Sequence, residues 1–236
     1  MIMGSEENWK NFRGKKIPSS VDLDDLFFEK IVPGCRVLDF GCGWGKVVLQ
    51  LHEKGYQVEG FDINFQAVKQ AQKELNKLSL SSNEVFIQAD ARNIPYSNNS
   101  FDVCILQAFL TTIIPPSDRT QIIDEVFRVL KPNGYLYLAD FARDSRYLKR
   151  YHESYALTGE MGTFLVKDDK GNTLYPAHHY TTEEIELLLN SLFTFEIFKK
   201  TVFTSYHGNR VNGFVVLAQK KDETSKKDGT TNEVKK

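Results

Sequence analysis

Between residues 35 and 141, short apolar runs alternate with stretches whose apolar residues recur every three or four positions. CRVLDF (35–40) reads as a buried strand that runs into a glycine cluster, and a helix follows from Trp44 to Lys54 with Val47, Val48 and Leu51 on one face. QVEGFD (57–62) is the next strand. Asn64 then caps a helix carrying Ala67, Val68, Ala71, Leu75 and Leu78. EVFIQ (84–88) and FDVCILQ (101–107) give two more strands. Ser117 is placed to cap a helix with Ile122, Ile123, Val126, Phe127 and Leu130, and Lys131-Pro132-Asn133-Gly134 turns the chain into GYLYLADF (134–141). Strands separated by helices in such short units require right-handed crossovers and a parallel sheet covered on both faces.

After Phe141 the rhythm changes. Residues 143–160 read as a helix with Tyr147, Tyr151 and Tyr155 four apart, and 162–176 as a hairpin turning at Asp169-Lys170-Gly171-Asn172. Thr181 and Glu184 form a capping box for a helix with Ile185, Leu188, Leu189 and Leu192. The runs 193–205 and 209–220 are separated by so few residues that they must pair antiparallel. The chain therefore divides into an N-terminal segment (1–34), a core (35–141), a cover (142–180), a closing helix and strand pair (181–220), and a charged tail (221–236) expected to be disordered.

Composition narrows the function. In 236 residues the net charge is −1, so no overall basic field favours a polyanion, and nucleic acid is not an expected partner. Cys35, Cys42 and Cys104 supply neither a disulfide framework nor a zinc cluster, and no metal site is expected. The first ten residues are too polar for a signal peptide, and no apolar run is long enough for a membrane span; a cytoplasmic setting is the expectation.

The chemistry begins in VLDFGCGWGKVV (37–48). Glycines where a strand turns into a helix allow positive φ and close approach of a ligand to the backbone, next to the positive end of the helix. A dinucleotide fingerprint needs glycine at 46, where Lys46 stands, and a phosphate-binding P-loop pattern is also missing. The pattern present is Asp39, Gly41, Gly43, Gly45, which resembles the first motif of class I S-adenosylmethionine-dependent methyltransferases. Asp62 follows Gly41 by 21 residues, at the end of the second strand. QADARNIPY (88–96), FDVCILQ with Ala108 and Phe109, and RVLKPNGYLYLADF (128–141) resemble the later elements of that family in order.

The resemblance implies a Rossmann-like α/β fold: a seven-stranded, mostly parallel sheet with an antiparallel closing pair, helices on both faces, and a small helix-hairpin insertion after the fifth strand. It also implies S-adenosylmethionine as cofactor. By position, Gly41, Gly43 and Gly45 would back the methionine and ribose, and Asp39 would orient the loop and the amino group. Asp62 would hold the ribose hydroxyls and Ile63 would pack on the adenine. Asp90 and the Ala91 amide would meet the adenine edge, and Gln107 would lie beside the methionine or the transferable methyl.

The acceptor is less determined. After the fourth strand Gln107-Ala108-Phe109-Leu110 stands where an Asp/Asn-Pro-Pro-Tyr/Phe signature would mark amide or exocyclic amino acceptors. Trp9 and Phe12 are candidates for a lid. Arg143, Arg146, Tyr147, Tyr151 and His207 are candidates for acceptor contacts, and His178 and His179 for a general base. The expected reaction is methyl transfer to a nucleophilic oxygen or nitrogen of a small organic acceptor. A protein or RNA acceptor, and a catalytically silent cofactor-binding module, are the competing readings. The oligomeric state is left open.

Overall fold

The computed structural model describes residues 9–10, 21–77, 85–168, 170–204 and 210–222. Its spine is a seven-stranded sheet in the order β3-β2-β1-β4-β5-β9-β8. The strands are β1 (Arg36–Phe40), β2 (Gln57–Asp62), β3 (Phe86–Gln88), β4 (Phe101–Gln107), β5 (Leu130–Phe141), β8 (Phe193–Thr204) and β9 (Arg210–Lys220). Strands β1 to β5 pair in parallel, while β9 runs antiparallel to both β5 and β8. The last strand thus slots between β5 and β8. Its composition explains the position: VVLA at 215–218 is buried on both faces, whereas β8 alternates and exposes Lys199 and Lys200 at the edge.

Each strand sends alternate residues into two apolar layers. On one face, Val37, Val103 and Tyr137 pack with α1 (Asp25–Lys30), α2 (Lys46–Glu53) and α3 (Phe65–Lys77) through Phe27, Val48, Leu51 and Leu75. On the other, Leu38, Leu106 and Leu138 pack with α4 (Pro116–Val129) and α6 (Thr182–Leu189) through Ile122, Val126 and Leu189. Residues before β1 belong to this core. The Phe27 ring meets Tyr137 edge-on at 5.4 Å, and the Asp24 amide donates to the Tyr137 hydroxyl.

Several expected boundaries shift for local reasons. Helix α2 begins at Lys46 rather than Trp44, because Gly45 sits in the left-handed region and serves as its cap. Helix α4 begins at Pro116, whose fixed φ suits a first helical position, so Ser117 lies inside the helix and does not cap it. The Lys131-Pro132-Asn133-Gly134 turn is an excursion within β5: Leu130 pairs with Phe101 before the ladder resumes at Tyr135 and Val103, with Asn133 at φ 60. Asn64 caps α3 as expected, its side-chain oxygen accepting from the amides of Gln66 and Ala67.

The cover leaves and rejoins the core at one point, where Ala142 and Tyr180 form a parallel bridge. The expected helix over 143–160 is a 3₁₀ turn (Ser145–Tyr147) followed by α5 (Leu148–Thr158), and Asp144 caps the turn by accepting from the Arg146 amide. Then come β6 (Thr163–Lys167) and β7 (Thr173–His178), paired as the expected hairpin. Ion pairs, of which only the Arg119 guanidinium is buried, fasten this unit. The Arg119 guanidinium holds Glu160 and the carbonyls of Ile113 and Ile114, and Arg143 holds Glu184. No helix among the described residues is long and apolar enough to cross a membrane. Residues 223–236, most of the charged tail, lie outside the described residues, as do Leu78 and Asp169.

Both halves of the capping box at α6 are formed: the Thr181 hydroxyl accepts from the Glu184 amide, and Glu184 accepts from the Thr181 amide. Thr181→Ala should lower stability by about 1 kcal/mol, a fall in melting temperature of roughly 2–4 °C for a domain of this size. A calorimetric scan checks it, with Thr181→Ser expected to keep most of the loss from appearing.

Candidate active site

The site lies at the carboxyl ends of β1, β2 and β4. Gly41, Gly43 and Gly45 take φ of 68°, 53° and 80°, a left-handed turn out of β1. Two of them have different neighbours. A Cβ on Gly41 would lie 2.4 Å from Cδ2 of Phe109, whose ring rests on the turn from the β4 side. A Cβ on Gly45 would lie 2.6 Å from Cζ of Phe86 and 3.0 Å from the Ala71 methyl, so its space is taken by the packing of the turn on β3 and α3. The Gly43 amide donates to Asp62 Oδ2 at 2.9 Å, and the Asn64 amide donates to Oδ1 at 2.8 Å.

Two acidic groups, Asp39 and Asp62, gather around this turn, while the nearby Lys46 is paired with Asp22. Asp39 is buried on β1, and no hydrogen bond reaches its carboxylate from the described residues. Burial, and secondarily the charge of Asp62, pushes its pKa well above the usual carboxylate range. Burial also raises Asp62, although the backbone amides it accepts from pull the other way. Asp39 pairs in register with Ile105, so Gln107, two residues on, stands level with Gly41. Its Nε2 donates to the Asp22 carbonyl, while its buried Oε1 has no partner. Next to it Ala108 takes φ 49, a conformation that costs a non-glycine residue about 1 kcal/mol or more. The strain is held by the Ala108 amide on the Ala139 carbonyl and the Thr111 amide on Asp140 Oδ2.

Towards β3, Ile63 is half-buried and Ala91 is buried. Asp90 accepts from the amide and guanidinium of Arg92, which also contacts Asp118. Burial opposes its ionisation, but Arg92 outweighs this and leaves the Asp90 pKa below its ordinary value. Arg92 was not among the residues singled out by pattern. Its only signal is an arginine two places after the acid, opposite the acidic first turn of α4.

On the acceptor side, Trp9 reaches two parts of the site. Its carbonyl accepts from Asn64 Nδ2 at 2.9 Å, and its ring lies 4.9 Å from that of Tyr175 on β7. His179 is enclosed by Phe141, Tyr147, Tyr151 and Phe164, at centroid distances of 4.8–6.0 Å. Its Nδ1 bonds the Tyr151 hydroxyl at 2.8 Å. Burial, then the neighbouring His178, holds its pKa down to about 3, so the imidazole is neutral at physiological pH. His178 is fully enclosed. Its Nδ1 meets Thr163 Oγ1 at 2.8 Å and lies 3.3 Å from Glu160, with Nε2 3.8 Å from Glu184. Arg143 and Arg146 are each committed to a carboxylate, Glu184 and Asp144. Phe12 and His207 lie outside the described residues. Among the described residues, no group of three or more His, Cys, Asp or Glu side chains is arranged to hold a metal ion.

The family match falls on the same segment: residues 38–138 fit the methyltransferase domain. A crystal structure of an S-adenosylmethionine-dependent methyltransferase from Methanosarcina mazei superposes with a TM-score of 0.81 at 37% identity, over 85% of this chain and 99% of that one. The chain belongs to the class I S-adenosylmethionine-dependent methyltransferases. Among sequence relatives, a putative methyltransferase of Bacillus subtilis is 35% identical over 43% of this chain and 40% of its own length. A ubiquinone/menaquinone biosynthesis C-methyltransferase of Blochmanniella pennsylvanica is 31% identical over 60% of this chain and 51% of its own length. The aligned region thus spans about half or less of these two relatives. A protein of the latter name from Rickettsia typhi is 27% identical over 92% of this chain and 82% of its own length.

The methyltransferase cofactor fits what the turn presents. S-adenosylmethionine carries positive charge at sulfur and at its amino group, and the cleft holds the buried Asp39 carboxyl, the half-buried Asp62 carboxyl and an unpartnered buried amide oxygen. In this methyltransferase Gly45 shapes the turn from the inside. Gly45→Ala, with φ 80 and Phe86 in the way, should cost about 1–3 kcal/mol. Urea unfolding monitored by circular dichroism measures it, and Phe86→Leu in the same chain should recover part of the loss.

Proposed function

We propose that the chain transfers the methyl group of S-adenosylmethionine to a small organic acceptor. The observation that carries this reading is a cleft of acceptor groups, Asp39, Asp62 and Gln107, on the same domain as an aromatic cluster in which Phe141 at the end of β5, Tyr147, Tyr151 and Phe164 surround His179. A cover fastened to the core by ion pairs suits a compact molecule better than an RNA or protein chain. The names of the full-length relatives, which describe quinone-pathway C-methyltransferases, also support a small acceptor and add carbon to the oxygen and nitrogen nucleophiles expected from pattern.

When bound, the cofactor supplies a methyl group on a positively charged sulfur. In this reading Asp62 accepts from the ribose hydroxyls, and Asp39 and Gln107 meet the ammonium group. Ile63, Asp90 and the Ala91 amide are left to the adenine. Held this way, the donor can be attacked in line: the acceptor's lone pair forms the new bond to carbon as the carbon–sulfur bond breaks and its electron pair returns to sulfur. Positioning and exclusion of water supply most of the acceleration. A hydroxyl or carbon acid must also lose a proton. His179, set among the aromatic rings of the cover with a neutral imidazole, is taken as the base of this reading, a weak one because burial holds its pKa down to about 3.

Calorimetry tests the donor. The intact chain should bind S-adenosylmethionine, and Asp62→Ala should weaken binding roughly 10–100-fold, the loss of charge-assisted hydrogen bonds. Asp39 and Asp62 have raised pKa values in the free protein, and a cationic ligand favours their ionised forms. Affinity should therefore fall as pH is lowered through that raised range, with proton release on binding. Uptake of protons, or affinity independent of both Asp62 and pH, would remove these carboxyls from the donor site.

A labelled-methyl screen over metabolite and RNA fractions tests the acceptor. Label should enter small molecules. Entry into RNA alone would overturn the reading. His179→Ala should lower transfer by about 10²–10⁴-fold with donor affinity unchanged; an unchanged rate would remove it as base.

A further inference from the structure

We propose that Phe109 contacts the donor's positively charged sulfur through its ring and so distinguishes the charged donor from its neutral product. The inference rests on the donor reading above and deepens it by giving a role in donor binding to a residue that the sequence pattern placed only at the end of the fourth strand.

Three observations carry it. The ring lies on Gly41 so closely that a methyl group there would stand 2.4 and 2.7 Å from Cδ2 and Cε2, which places it on the turn that holds the donor. Its position is enforced. Ala108 immediately before it takes φ 49, and hydrogen bonds to Ala139 and Asp140 on either side keep that turn in place. Backbone strain of this kind persists where the surroundings over-determine it, and it concentrates at sites of function. The ring is also half-buried, with the edge-on Phe40 ring at 6.3 Å as its aromatic neighbour.

Chemistry supplies the rest. Level with Gly41 by register is Gln107, whose buried side-chain oxygen is an acceptor, and two residues back on β1 lies the buried Asp39 carboxyl. A carboxyl can satisfy an ammonium through hydrogen bonds. A sulfonium has no hydrogen to donate, so it is stabilised by diffuse negative charge, which an aromatic face provides. Phe109 is the aromatic residue fixed against Gly41 on the β4 side.

The test needs no acceptor. Binding of S-adenosylmethionine and of S-adenosylhomocysteine to the full chain is measured by calorimetry for the wild type, Phe109→Leu, Phe109→Met and Phe109→Tyr. The leucine and methionine variants should lose about threefold to thirtyfold in affinity for the donor, the range of a cation–π contact, and less than about twofold for the product on the same scale. Phe109→Tyr should keep the wild-type ratio. Parallel weakening of both ligands would assign Phe109 to packing alone and overturn the proposal, as would an unchanged ratio in a folded variant. Methionine keeps the volume if leucine disturbs the turn. A wild type that binds the product but not the donor would overturn this inference, whereas one that binds neither would overturn the donor reading first.

Discussion

The chain must pass through the left-handed region at Gly41, Gly43 and Gly45 to leave β1 and enter α2, and the cleft takes its shape from that turn. Below it, the missing side chain of Gly45 lets Phe86 and Ala71 press against the backbone, which fixes α2 on the sheet. Above it, the missing side chain of Gly41 lets Phe109 do the same from β4. Between them the Gly43 amide reaches across to Asp62 and ties the turn to β2. Three strands are thereby held to one short loop. A side chain at either end would move a neighbouring strand or the residue that follows it, so the precision of the floor depends on groups that are absent.

The cover is attached in a different way. Its own apolar cluster is small, centred on Tyr151, Phe164 and Ala177. Arg119, Glu160, His178, Glu184 and Arg143 form the joint instead, with the Thr111 hydroxyl donating to the His178 carbonyl. Among its arginines and carboxylates only the Arg119 guanidinium is buried, so loss of Glu160 is the change in this set that leaves a buried charge without its carboxylate. Asp140 stands where joint and floor meet. Its burial pushes its pKa up to about 7, and it accepts from the Thr111 and Phe141 amides. The strained segment carrying Phe109 and the fastening of the cover therefore share one residue.

Much of the floor was legible from pattern because it depends on residue types with few alternatives. Three alternating glycines after an apolar strand, an acid at the end of the next strand and a T-x-x-E box each correspond to one backbone arrangement. Sheet order was legible only in part. The antiparallel pairing of β8 and β9 follows from the short connection, while the insertion of β9 beside β5 shows in the apolar VVLA against the lysines of β8. The cover was hard to read, because its contacts join residues far apart in sequence. Nothing near His178 announces Glu160, and nothing near Arg119 announces either. The tyrosine spacing suggested one helix, whereas Tyr147 ends a 3₁₀ turn and Tyr151 points inward to His179, so equal spacing concealed different environments. The positive φ of Ala108 left no mark at all, since alanine gives no warning of a left-handed backbone.

Charge connects these parts. Methyl transfer from sulfur removes a positive charge from the donor while its other groups stay the same. A cleft floored by Asp39 and Asp62, with the Gln107 oxygen turned inward, interacts with charge more strongly as water is excluded, because the effective dielectric falls. In the proposed reading, the aromatic cluster around His179 contributes to that exclusion. The same arrangement favours the donor before transfer and weakens the hold on the product afterwards, since the attraction at sulfur disappears with the methyl group. Buried carboxyls that destabilise the free protein in their ionised form thus have a use: their cost is relieved by the cation, and that relief is withdrawn in part once the reaction is complete.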